Sequence, residues 1–269
     1  MILLIIISII SILLIINLLV MKNLETFSNP DLKICILIIN RPTLKGEGEN
    51  EIYDIQRNTW KKYLQQGKNI DCFFIECGET TKQQGDYLLT ECKESFIPGI
   101  YQKTILSFEY LLDSDYDFFI RTNLNSFFIF PYLIKVLKKL QHLKDKPLYT
   151  GDYSKYSDWI CGNSIILNKK AISILTTYGK DPQYFYQQDQ PDDVIIGKVL
   201  SNHDVKTYPL NDIVYWMVEK SNESQRHSDI KKIIEKQYPI IRTRPYYDDT
   251  YYYQCLMNAL VNTFYYNYK

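Results

Sequence analysis

The chain has 269 residues, 46% of them hydrophobic and 23% charged, a balance that excludes a disordered tail or an all-polar linker. Lysine plus arginine total 31 and aspartate plus glutamate also total 31, so the net charge is zero and no nucleic-acid partner is expected. With 24 tyrosines against 3 histidines, a histidine-rich metal site is disfavoured as well.

The first element is the uncharged stretch Ile2 to Val20, interrupted only by Ser8, Ser11 and Asn17. As a helix it spans about 28 Å, close to the hydrocarbon core of a bilayer. No basic residue precedes it and no small-residue cleavage site follows, so an uncleaved anchor over residues 1–21 is expected instead of a signal peptide. Residues 22–32 are polar, contain Pro30 and form a short stem. Residues 33–269 are expected to be one domain, because no linker large enough to divide them is present.

Within that domain the chain alternates strands and helices. Ile34–Ile39 is a continuous apolar run, the pattern of a strand buried on both faces. A helix is predicted over 51–66, ended by Gly67, followed by the strand Ile70–Ile75. A helix over 101–112 carries Ile105, Phe108 and Leu112 on one face. The strand Asp117–Ile120 then runs into Arg121–Phe127. Pro131 suits the first turn of the next helix, whose apolar face is Leu133, Val136, Leu137 and Leu140. The second half predicts an edge strand Tyr149–Tyr153, a core strand Ser164–Leu167, a helix Lys169–Thr177 closed by Gly179, a helix over 192–200 and a strand Val205–Tyr208. A last helix from Tyr252 would pack Leu256, Ala259, Leu260 and Thr263. This order predicts an α/β protein with a mostly parallel central sheet.

Six cysteines are spread along the chain without a C-x-x-C pair, so a zinc knuckle has no support and spacing assigns no disulfide. Cys35, Cys72 and Cys161 lie in apolar runs and read as core thiols, as Trp60 reads as a core indole. Asn222-Glu-Ser224 is a glycosylation sequon.

In an open α/β sheet, ligands bind beyond the carboxyl ends of the strands. That rule selects the loops after Ile39, Ile75, Ile120 and Leu167. No G-x-G-x-x-G, Walker A, H-E-x-x-H or G-x-S-x-G segment occurs there. What remains is Arg41, Arg57, Arg121, Asn123, Asn125, Asp192 and Asp193. Arg41 and Arg121 follow strands directly, where a guanidinium fork can meet a diphosphate or a surface carboxylate. Asp192 and Asp193 can serve a crevice or simply favour the positive end of a helix.

The order of motifs resembles the β-1,3-glycosyltransferase family, which includes galactosyltransferases, N-acetylglucosaminyltransferases and Fringe-like enzymes. Arg57-Asn-Thr-Trp60 is similar to its R-x-T-W. Gly85-Asp86, Glu94-Ser-Phe96 and Lys103-Thr104 resemble its G-D-I, D-S-Y and K-T segments. Tyr116–Phe127 takes the place of the strand ending in D-D-D, Trp159–Gly162 that of Y-x-x-G, and Asp192-Asp193-Val194 with Gly197 that of E-D-V-x-x-G. The resemblance covers about residues 33–210. Together with the AT-rich-genome composition, it is similar to relatives in giant DNA viruses.

The resemblance implies a type II membrane protein of the host secretory pathway or virion membrane, with a GT-A-like fold. It implies a UDP-sugar as donor and a glycan or glycoprotein as acceptor. Asp193 takes the position of the base in an inverting transfer, with Asp192 beside it. Arg41, Arg57, Arg121, Asn123, Asn125 and Gly162 become candidates for holding the donor. The departure is at the metal site: Asn123, Leu124 and Asn125 replace the carboxylates that would hold Mn²⁺ or Mg²⁺. Asn125 and His203 are the remaining candidate ligands. The alternative implied by that departure is an inactive relative that binds glycan or protein.

Overall fold

The computed structural model describes residues 32–39, 49–66, 69–153, 159–187, 189–217, 223–243 and 250–265. The expected anchor, nearly all of the stem, Arg41, Gly67 and Asn222 of the sequon lie outside the described residues. Among the described residues, no helix is long and apolar enough to cross a membrane.

Strand β1 (Ile34–Ile39) is buried throughout and pairs in parallel with β2 (Ile70–Gly78) on one side and β5 (Phe118–Asn123) on the other. Its side chains alternate between two cores, as the two-residue period of a strand requires. Ile34, Ile36 and Ile38 join one cluster; Cys35, Leu37 and Ile39 join the other. A strand apolar at every position therefore serves both faces of the sheet. Cys72 is buried too, whereas Cys161 is partly exposed.

The first core is covered by α1 (Glu49–Asn58), α3 (Phe130–Leu140) and α8 (Thr250–Tyr265). The helix expected over 51–66 breaks at Thr59, and residues Trp60–Gln66 continue as a 3₁₀ turn. Thr59 Oγ1 donates to the Ile55 carbonyl at 2.5 Å, a back-bond that competes with helix propagation. Beyond the break Trp60 is fully buried, 5.1 Å from Phe128 and 6.0 Å from Phe130 between ring centroids. In α3, Leu133, Leu137 and Leu140 are buried as expected, joined by Ile134, while Val136 is only partly covered.

The second core is covered by α2 (Gly99–Leu111), α4 (Lys169–Tyr178) and α6 (Asp192–Asn202). A single-turn helix, α5 (Pro182–Phe185), precedes α6. The remaining strands of the large sheet are β3 (Lys82–Gln84), β4 (Tyr87–Glu91), β7 (Tyr149–Gly151), β8 (Ile165–Asn168) and β9 (Thr207–Pro209). The strand order is β3-β4-β2-β1-β5-β8-β7-β9.

This sheet is mixed: its central strands β4-β2-β1-β5 run parallel, as expected, and antiparallel pairs flank them. β8 runs antiparallel to both β5 and β7, and β3 antiparallel to β4. The chain returns from β7 to β8 without a crossover helix among its described residues, and a direct return makes an antiparallel pair. β7 is also no edge strand, because β9 arrives parallel on its outer side.

A second sheet of β10 (Val214–Trp216), β11 (Ile240–Arg242) and β6 (Ser126–Phe128) packs into the first core, with α7 (Glu223–Lys236) between β10 and β11 in sequence. The C-terminal helix belongs to this core. Tyr253, Leu256, Met257, Leu260, Val261 and Tyr265 are buried, whereas Ala259 and Thr263 face outward, contrary to expectation. Tyr265 sets that rotation: its hydroxyl donates to the Phe128 carbonyl at 2.7 Å and accepts from Phe130 N–H at 3.0 Å. A buried tyrosine hydroxyl needs such partners, and they lie on one side only.

Cys77 and Cys92 form a disulfide that ties the end of β2 to the chain leaving β4.

Candidate functional site

The direction of β8 changes which loops meet at the ligand edge of the sheet. Arg121 of β5 stands opposite Ile165, while Phe118 stands opposite Asn168. The chain after Leu167 therefore leaves at the far edge, and the segment before β8, Cys161–Ser164, reaches the carboxyl end of β5. The strands β2 and β5 also run on past Ile75 and Ile120, to Gly78 and Asn123.

Arg121 is the centre of this edge. Its side chain is only 2% exposed, and Nη2 lies 2.6 Å from Asp192 Oδ2 in the first turn of α6. Nη1 donates to Asn123 Oδ1 at 2.6 Å and to the Gly162 carbonyl. The next residue of the helix, Asp193, accepts from Gly162 N–H through Oδ2 and from Val194 N–H through Oδ1, each at 3.0 Å. Gly162 thus bonds the arginine through its carbonyl and the second aspartate through its amide.

No side chain fits at position 162: a Cβ there would lie 2.6 Å from Arg121 Nη1 and 3.3 Å from Asp193 Oδ2. The missing side chain leaves room for the arginine.

Burial raises the Asp192 carboxyl above the usual carboxylate range. The Arg121 charge opposes that rise and the Asp193 charge adds to it. Both aspartates occupy the first turn of α6, so the macrodipole favours them as well.

Polar groups without partners gather beside this network. Asn163 is 1% exposed, and neither its amide nitrogen nor its oxygen has a partner among the described residues. The same holds for Asn125 Oδ1 and Arg121 Nε. Asn163 was not singled out by sequence reasoning, since a lone asparagine beside a glycine carries no motif.

Helix α2 adds a buried cation. Lys103 Nζ lies 3.0 Å from both oxygens of Glu94, whose Oε1 also accepts from Cys77 N–H at 2.7 Å. Burial lowers the Lys103 ammonium below its usual range; Glu94 opposes this, and the charge of Arg121 adds to it.

Other candidates lie elsewhere. Arg57 stands on α1, which covers the first core, whereas Arg121 shares its face of β5 with Phe119 of the second core. The sheet separates the two arginines. Arg57 pairs with Asp86 through Nε and Nη2, both at 3.0 Å, and with Asp54 at 2.9 Å. Asp86 also takes Lys61 at 2.6 Å. Although its burial opposes them, Arg57 and Lys61 hold the Asp86 carboxyl below its usual range.

Leu124 is buried in the first core, on the other side of the chain from Asn123. His203 caps the C-terminal end of α6, about 16 Å along the helix from Asp192. There it stacks on Tyr178 at 3.7 Å, so it is not brought to Asn125. Of the nearby aromatic side chains, Trp159 lies over Gly197, Tyr184 and Phe185 pack against the second core, and Tyr186 is exposed. Among the described residues, no three His, Cys, Asp or Glu side chains group as metal ligands.

No protein-family model matches the chain, and no curated protein matches its sequence.

Proposed function

We propose that this protein is a membrane-anchored glycosyltransferase that moves a hexose or N-acetylhexosamine from a UDP-sugar to a glycan or glycoprotein acceptor. The observation that carries this reading is the anchoring of Asp193 at the carboxyl end of β5 by the Gly162 amide, beside the Arg121–Asp192 pair. A carboxylate has about four lone-pair sites, so two backbone hydrogen bonds leave Asp193 able to take a proton. It removes that proton from the acceptor hydroxyl as the oxygen attacks the anomeric carbon. The bond from that carbon to the UDP oxygen breaks on the opposite face, with inversion, and the electron pair leaves with the diphosphate.

The side chains present do not fit a divalent cation. Asn123 Oδ1 already accepts from a guanidinium, Leu124 has no donor atom, and Asn125 supplies a single neutral carbonyl. No step is therefore assigned to a metal. Positive charge on this side of the sheet comes instead from Arg121 and Lys103. Residues 2–20 would supply the membrane anchor, with residues 21–269 in the lumen of the host secretory pathway or on a virion surface.

A second reading, a non-catalytic glycan- or protein-binding relative, draws on a separate observation. The Arg121 donors at Nη1 and Nη2 and both Asp193 oxygens already have partners inside the protein.

The test is binding and hydrolysis of UDP-galactose, UDP-glucose and UDP-N-acetylglucosamine by the full-length chain, with and without Mn²⁺, beside Asp193→Asn. Asparagine keeps an oxygen for the Gly162 amide but cannot act as the base. Turnover in the native chain that falls at least about 100-fold in the variant is expected. Failure to bind any of the donors refutes the transferase reading, and binding without turnover, even with a glycan acceptor present, favours the second.

A further inference from the structure

Strand β10 ends on Trp216, which is 52% exposed. An exposed indole on a loop would sample many orientations, but this one is held on two sides. Its Nε1 donates to Asp152 Oδ2 at 2.9 Å, and the Arg242 guanidinium lies 3.8 Å from the ring centroid. Arg242 is the register partner of Trp216 across β10 and β11, so the cation is delivered to the ring by the sheet itself. One face of the indole is covered, and about half of the residue remains open to solvent.

This platform adjoins the candidate site. Asp152 follows directly on β7; its N–H donates to Ser164 Oγ and its carbonyl accepts from Cys161 N–H, each at 2.8 Å. The Cys161–Ser164 segment that bonds Asp152 is the one whose Gly162 bonds Asp193. From the other side, Arg242 pairs with Ser126, and Thr243 donates to the Asn125 carbonyl at 2.8 Å. The Cys161 thiol lies in the middle: burial foremost, then the charges of Asp152 and Asp193, push it up to about 11, against the pull of Arg242.

We propose that Trp216, flanked by Asp152 and Arg242, is the seat of a neutral acceptor pyranoside, placing one of its hydroxyls toward Asp193. The chemistry of a pyranose matches the three groups. Its ring faces carry C–H bonds that pack on an indole, and its rim carries vicinal hydroxyls that donate to a carboxylate and accept from a guanidinium. A uracil ring also stacks on an indole, so UDP is the control ligand. Charge of both signs flanks the ring, Asp152 on one side and Arg242 on the other, which matches the paired donors and acceptors of an uncharged glycoside rim. The role as acceptor seat rests on the transferase reading; glycoside binding at Trp216 does not.

The experiment is saturation-transfer NMR on the full-length chain in detergent micelles. The probes are methyl β-galactoside, methyl β-glucoside, methyl β-N-acetylglucosaminide and, separately, UDP. The variants are Trp216→Ala, Trp216→Phe and Asp152→Asn. Transfer to the ring protons of at least one glycoside is expected, with affinity about tenfold weaker in Trp216→Ala and largely kept in Trp216→Phe. Asp152→Asn, which leaves the ring in place, is expected to weaken the glycoside and spare UDP. The proposal is overturned if no glycoside binds, if Trp216→Ala binds glycosides as the native chain does, or if it weakens UDP instead. If glycosides bind through Trp216 while no UDP-sugar binds, the seat stands and the transferase reading falls. If UDP-sugars turn over with no dependence on Trp216, the reading stands and the seat falls.

Discussion

The Nη2 atom of Arg121 lies 2.6 Å from Oδ2 of Asp192, so the end of a central strand is bonded to the first turn of a helix by a pair almost closed to water. Two charges taken out of water together cost much less than either one alone. The pair is thus a constraint on both elements: neither can move without leaving a charge buried and unpaired.

Arg121→Met leaves the Asp192 carboxylate without its counter-charge and is expected to cost about 3–5 kcal/mol of stability, read from urea unfolding at neutral pH. The loss should shrink as the pH falls, because Asp192 can then take a proton and become neutral. A loss independent of pH would contradict an ionised pair.

Gly162→Ala places a methyl group 2.6 Å from Arg121 Nη1. The arginine cannot retreat, being held by Asn123 and Asp192. A destabilisation of about 1–3 kcal/mol is expected, together with loss of any turnover that depends on Asp193. Native-like stability would mean that the segment before β8 shifts freely.

The Cys77–Cys92 bridge closes a loop with a sequence separation of 15. On chain-entropy grounds, its removal by paired serine substitutions should lower stability by about 3 kcal/mol. Because Glu94 follows closely and receives the Cys77 amide, the Lys103–Glu94 pair should loosen too, visible as faster hydrogen exchange in α2.

Asp86 sets an acid limit. Its folded-state carboxyl is held below the ordinary value of 3.8 by Arg57 and Lys61. A depressed carboxyl contributes stability that is fully present above the unfolded value and disappears as the pH falls through the folded one. Stability should therefore decline below about pH 4. In Asp86→Asn that decline should be smaller, with the stability at neutral pH already reduced. An unchanged acid profile in the variant would remove Asp86 from this role.

Much of the scaffold was legible from local pattern. Ile34–Ile39 announces a central strand because every residue is apolar, and the three- and four-residue spacings mark α2 and α3. Local pattern was silent on β3, β4, β10 and β11, which are short, and right for only half of the packed face of α8, where Leu256 and Leu260 are buried but Ala259 and Thr263 are not. Tyrosine is both apolar and hydrogen-bonding, so in a tyrosine-rich helix periodicity alone selects no single face. The Phe128 carbonyl and Phe130 amide made that choice through Tyr265.

By itself, the sequence determined that this is an α/β chain with an apolar first segment, a buried first strand, and arginines, asparagines and paired aspartates in place of any common nucleotide or metal motif. Only the tertiary structure decided which of those residues meet. The direction of β8 depends on a return with no helix among its described residues, and that return carries Gly162 to an arginine 41 positions earlier and an aspartate 31 positions later. Hydrophobic periodicity reports which face of a segment is buried. It contains nothing about the direction in which a strand enters a sheet, and here that direction assembles the site.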